Sequence, residues 1–206
     1  MNITSIFLIS FIIALSGALA PGPLLTVVIA ETPRGGFKTG PLIITGHAIL
    51  ETLMVGVLLL GFSRFINNPT VVKSISLLGA AVLIYSGFKL ITTTPSLQLK
   101  TEKKSYKHLA ILGITMSLAN PYWTIWWLTI GLGLLLTAQK MGLIAILFFF
   151  LGHILADFTW YSLVSFSITK GKKLLTVKRY KILITLCGLS LISLGIYFGL
   201  SVKISL

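Results

Sequence analysis

Acidic side chains are almost missing from this chain. Four Asp and Glu stand against 17 Lys and Arg in 206 residues, and only 10% of residues are charged. A soluble domain needs a charged, hydrated surface, so the scarcity excludes an ordinary one. Cysteine is scarcer still: Cys187 is the single one, and it lies in an apolar stretch. It has no partner for an internal disulfide or a cysteine-based metal site and is read as inert packing. No HExxH motif occurs. Serine-rich stretches alone do not make an enzyme, so none is expected, and no cofactor either.

What the chain has in abundance is apolar surface. Hydrophobic residues make up 55% of it, and mean hydropathy is +0.98. These values predict an integral membrane protein whose first partner is the lipid bilayer. A net charge of +13 would suggest nucleic acid in a soluble protein. Here most lysines sit in two loops beside apolar runs, so membrane topology explains them and no nucleic acid is expected.

Six membrane segments are predicted: Ile6 to Ala30, Thr39 to Ser63, Val71 to Ile91, a fourth from Leu109 with no charge before Lys140, Met141 to Thr169, and Ile182 to Val202. The polar stretch between the third and fourth is the natural boundary between halves. The expected organisation is a three-helix repeat over 1–91, a basic cytoplasmic linker over 92–108, and a second three-helix repeat over 109–206. Although Ala18-Leu19-Ala20 resembles a signal-peptide cleavage site, no Lys or Arg precedes the apolar run and a proline follows it, so no cleavage is expected.

Orientation follows from the basic residues. The loops after segments one, three and five hold Arg34, Lys38, Lys89, Lys100, Lys103, Lys104, Lys107, Lys170, Lys172, Lys173, Lys178, Arg179 and Lys181. The opposite side holds Arg64, Lys73, Lys140 and Lys203. Thirteen against four predicts cytoplasmic odd-numbered loops and both termini outside.

Two segments are interrupted. Ala20-Pro21-Gly22-Pro23 places two prolines inside the 25-residue uncharged run from Ile6 to Ala30. Each proline lacks an amide donor and its ring crowds the preceding turn, so the helix must kink or stop near Ala20. Asn120-Pro121-Tyr122-Trp123 breaks segment four in the same way. Backbone groups freed at membrane depth are tolerated only when buried in protein or lining a wet cavity, which makes both breaks candidate substrate sites. Asn120 can cap the half-helix that follows and leave its amide end for a substrate carboxylate. Trp123 and Trp127, one turn apart, could meet a substrate cation, but interfacial anchoring or core packing is the favoured reading.

Each break is followed one segment later by Gly-His-x-x-x-acid. Glu51, in Gly46-His47-Ala48-Ile49-Leu50-Glu51, comes thirty residues after Pro21; Asp157, in Gly152-His153-Ile154-Leu155-Ala156-Asp157, comes thirty-six after Pro121. Three segments per half is an odd number, so the second copy enters the membrane from the opposite side. The fold predicted is therefore all-α, with six transmembrane helices as two inverted three-helix repeats, helices 1 and 4 being broken.

Within each motif the histidine and the acid stand four residues apart, one above the other on a helix. An acid near the centre of a lipid-facing helix costs about 3 kcal/mol, so Glu51 and Asp157 should face inward, near the midplane. With His47 and His153 they are candidates to bind a proton or a cationic substrate group. The plainer alternative is two structural His–acid pairs. Gly46, Gly152, Gly131 and Gly133 are expected to allow close helix approach, and the charge-free sixth segment reads as scaffold or an oligomer contact. The basic loop from Lys170 to Lys181 reads as a topology anchor.

These residues resemble the LysE/RhtB family of prokaryotic amino-acid exporters. The resemblance rests on length, six apolar segments, Pro21-Gly22-Pro23, the glycine at Gly46, the basic central loop, Asn120-Pro121 and Asp157, and it covers nearly the whole chain. It implies proton-driven export of basic or small neutral amino acids across the cytoplasmic membrane, as dimers. It also implies a substrate path shaped by Pro21, Gly22, Pro23, Asn120, Pro121 and Asp157; Tyr122 and Trp123, beside the second break, are further substrate-binding candidates from the residues themselves. Tyr122 stands where many members carry lysine, and the pair His47–Glu51 is not part of the exporters' usual pattern. The superfamily this resembles also contains divalent metal-ion exporters. His47, Glu51, His153 and Asp157 would form a reasonable two-nitrogen, two-oxygen site for such cargo.

Overall fold

A computed structural model describes residues 2–20, 22–61, 68–92, 105–171 and 176–204. Pro21, Arg64, Lys100, Lys103, Lys104, Lys172 and Lys173 fall outside the described residues, as does most of the expected linker.

Where described, the chain is helical, and its breaks sit where the sequence supplies a proline or a glycine. Helix α1 (Ile3–Ala18) is followed by α2 (Pro23–Gly35), the two bent by 72°. Gly22 is extended, and Pro23 opens α2 at a position where its missing N–H costs nothing. Then come α3 (Thr39–Leu59) and α4 (Pro69–Thr92). Segment four is divided into α5 (Tyr106–Leu118), α6 (Pro121–Trp126), a π-helical turn (Trp127–Gly131) and α7 (Leu132–Met141). Gly142, at φ 103°, turns the chain sharply into α8 (Leu143–Gly171). This is a conformation that glycine alone adopts freely. Helix α9 (Val177–Ile204) closes the fold.

Four helices, α3, α4, α8 and α9, are each long and apolar enough to cross a membrane, and the bent pair α1–α2 makes a fifth candidate span. The pieces of segment four are individually too short, because the chain breaks at Asn120. Large apolar side chains face outward along the helices, among them Ile12, Leu78, Leu143 and Leu186, as a bilayer requires. This is a multi-pass membrane protein.

Packing pairs the helices across the halves. Helix α1 lies along α8, α5 along α3, and α4 along α9. Glycines permit the close approaches: a methyl group on Gly46 would collide with the carbonyl oxygen of Ala110, and one on Gly152 would come within 2.5 Å of Phe7 O. Gly131 instead faces the rings of Trp126 and Trp127 in its own segment. Gly133, contrary to expectation, meets nothing within 4 Å.

Among the described residues two large apolar cores result, beside a small one of Ala30, Tyr180 and Ile184. One gathers Val28, Ile43, Ile44, Leu83 and Leu191. The other gathers Ile6, Val55, Trp127, Leu135 and Phe149. Along α3 the motif from His47 to Glu51 falls between the residues that build each core, and along α8 His153 to Asp157 does the same.

Candidate functional site

Helices α3 and α8 pack side by side, so their His-x-x-x-acid faces meet. His47, Glu51, His153 and Asp157 are all buried, none more than 5% exposed. A buried carboxylate must collect hydrogen bonds. Glu51 Oε1 has His153 Nε2 at 2.9 Å, Trp127 Nε1 at 3.0 Å, His47 Nε2 at 3.1 Å and Trp123 Nε1 at 3.2 Å. Asp157 stands further off, its Oδ2 3.7 Å from the Nε2 of each histidine. Glu51 Oε2, Asp157 Oδ2 and His153 Nδ1 are buried without a hydrogen-bond partner.

The favoured reading of the two tryptophans as core packing holds, since both are buried in one apolar cluster. Both indoles donate to Glu51, and the π-helical turn at Trp127 aims the second of them. Such turns recur at functional sites because they re-register a side chain within a helix. The ring of Trp126 stacks at a tilt on His153, with centroids 4.8 Å apart. His47 is held from behind: its Nδ1 lies 2.7 Å from Ser117 Oγ on α5.

The cluster lines part of a cavity of about 270 Å³. Of the predicted residues, Gly22, Pro23, Asn120, Tyr122, Trp123, His47, Glu51, His153 and Asp157 line it. Pro121 is buried at the start of α6 without lining it, and Pro21 lies outside the described residues. Both helix breaks therefore meet the two acids in one space. The breaks are capped differently. Asn120 Oδ1 accepts from the amide of Tyr122 at 3.2 Å, whereas the N-terminus of α2 has no side-chain cap. His47, Glu51 and Asp157 could also hold a metal ion, since each offers a ligand atom within 4.8 Å of the others.

Several lining residues escaped the sequence reading. Tyr161 was legible in principle, one turn beyond Asp157 on the same helical face. Trp126 gave no signal of its own, nor did Ser117, which stands behind His47 and outside the lining. The largest correction concerns the last helix: Leu194, Tyr197 and Phe198 of α9 form part of the cavity wall, so this segment is not mere scaffold. No charge or motif marks them, because an apolar wall and a lipid-facing surface use the same residues.

The comparisons with known proteins agree with a membrane exporter. The chain is 27% identical over 199 residues to the Bacillus subtilis (strain 168) protein named "Putative amino acid efflux protein YcgF", a match that covers 95% of each chain. No solved structure matches it. The family model described as "LysE type translocator" matches residues 15–202, so this chain belongs to the LysE translocator family.

Proposed function

We propose that this protein exports amino acids across the cytoplasmic membrane of a prokaryote by proton-coupled alternating access. The observation that carries the proposal is the cavity in which both helix breaks face the buried Glu51–Asp157–His47–His153 cluster. An amino acid brings an ammonium and a carboxylate. The ammonium finds Glu51 Oε2 and Asp157 Oδ2, the carboxylate oxygens without a hydrogen bond. Among the described residues no Lys or Arg lines the cavity, so the carboxylate is left to the uncapped amide end of α2, whose dipole favours an anion.

Proton coupling has support in the hydrogen bonds. Ser117 Oγ lies 2.7 Å from Gly113 O, the back-bond of a helical serine. With its one proton placed there, it accepts from His47 Nδ1–H. His47 Nε2 and Glu51 Oε1, 3.1 Å apart, then need a further proton between them, on the imidazole or on the carboxyl. A cluster that holds one proton over the bound state and releases it elsewhere couples the two fluxes.

The inverted repeat is supported by the way α1 pairs with α8 as α5 pairs with α3, and by the matched positions of Gly46 and Gly152. The basic ends of α2, α4 and α8 with the starts of α3, α5 and α9 then face the cytoplasm, and both termini lie outside. The second reading, export of a divalent metal ion, is favoured by the ligand atoms of His47, Glu51 and Asp157.

Flux in proteoliposomes under an imposed pH gradient separates the two. A panel of amino acids and divalent metals is offered to the wild type and to Glu51→Gln. Amino acids moving with the gradient, and stopping in the variant, support the proposal; movement of metal ions alone overturns it in favour of the second reading.

A further inference from the structure

The acid cluster accounts for part of the cavity lining, and other lining residues are of another chemistry. Leu24 at the start of α2 and Leu194 and Phe198 on α9 line the space with Trp123, Trp126 and Tyr161. Among the described residues, no lining residue apart from Glu51 and Asp157 carries a fixed charge.

The cluster itself has room for one cation. Glu51 Oε1 is already met by four ring nitrogens within 3.2 Å, which leaves Glu51 Oε2 and Asp157 Oδ2 open. With His47, these two acids offer ligand atoms within 4.8 Å of one another, so one ammonium can bridge them and two would repel. A lysine or arginine substrate brings a second cation, which would lie among Leu24, Leu194 and Phe198 without a counter-ion. An aromatic face offsets only part of that desolvation. A side chain as small as alanine's would leave much of a 270 Å³ cavity without dispersion partners.

From this we infer that the cargo is a neutral amino acid with a bulky apolar side chain, of the leucine, methionine or phenylalanine kind. Leu24, Leu194 and Phe198 form the subsite for that side chain. The inference rests on the export reading above and departs from the expectation of basic or small neutral substrates.

The test is counterflow in proteoliposomes holding the full chain, with leucine, methionine, phenylalanine, alanine and lysine as separate probes. The bulky neutral amino acids should be carried about tenfold more efficiently than alanine or lysine, the discrimination an apolar pocket supplies. Phe198→Ala should raise the KM for leucine and narrow the preference of leucine over alanine. Lysine or alanine carried as well as leucine would overturn the subsite while leaving amino-acid export standing. Transport of no amino acid at all would overturn both. The wild-type panel decides the matter even where Phe198→Ala fails to fold.

Discussion

Trp127 donates its indole N–H to Glu51 across 3.0 Å, from the first residue of a π-helical turn on a different segment. Trp127 is fully buried, so the bond ties the broken fourth segment to the acid on α3. Trp127→Phe keeps most of the ring volume and removes the donor. It should cost about 1–3 kcal/mol of stability, read as lowered thermal unfolding in detergent, and should slow flux. An unchanged unfolding temperature would show that the contact holds nothing together.

The two acids should differ from surface carboxylates in what their neutral variants do. Glu51→Gln and Asp157→Asn are each expected to bring pH-gradient-driven accumulation down to the level of empty liposomes while the protein still folds as a helical species by circular dichroism. Wild-type flux in either variant would reduce that residue to a structural partner.

Close backbone contact makes a graded prediction from three glycines. Gly46→Ala and Gly113→Ala force α3 and α5 apart, because each new methyl would overlap a carbonyl oxygen of the other helix. Each should destabilise by about 1–3 kcal/mol. Gly133→Ala, in open space, should instead leave stability unchanged or raise it by about 0.5–1 kcal/mol. Thermal unfolding of the three variants side by side checks the order.

The cargo's two charged ends can be tested by chemistry alone. Methyl esters of transported amino acids have lost the anion that the end of α2 would meet, so they should compete poorly against the parent compounds. A metal chelator should leave flux unaffected. Inhibition by the chelator, or loss of metal binding in the double variant His47→Ala with His153→Ala, would favour the metal reading.

Topology has its own measurement. A reporter that is active only outside the cytoplasm, fused after Leu206, should be active. Fluorescence from a cytoplasm-only reporter at the same position would invert the assigned orientation.

Much of the site was legible because its physics is local. Proline must break a helix wherever it stands, so Pro23 and Pro121 announce α2 and α6. An acid in a membrane span must turn inward, which singled out Glu51 and Asp157. Four-residue spacing puts His47 above Glu51 and His153 above Asp157. What was not legible depends on which helices become neighbours. Packing was legible for Trp123 and Trp127, but not that their indoles meet Glu51 on α3, and Leu194 and Phe198 look like any lipid-facing pair until α9 is placed against α2.

By itself, then, the sequence determined the membrane environment, the places where the helices break and the two faces that carry an acid beneath a histidine. Hydropathy, proline geometry and the cost of burying charge act within a few residues. Only the tertiary structure decided that one oxygen of Glu51 collects Trp123, Trp127 and His153 from 72, 76 and 102 residues away, and that an apolar last helix walls the cavity. Such distant pairings follow from how whole helix faces pack, and no local pattern along the chain records that choice.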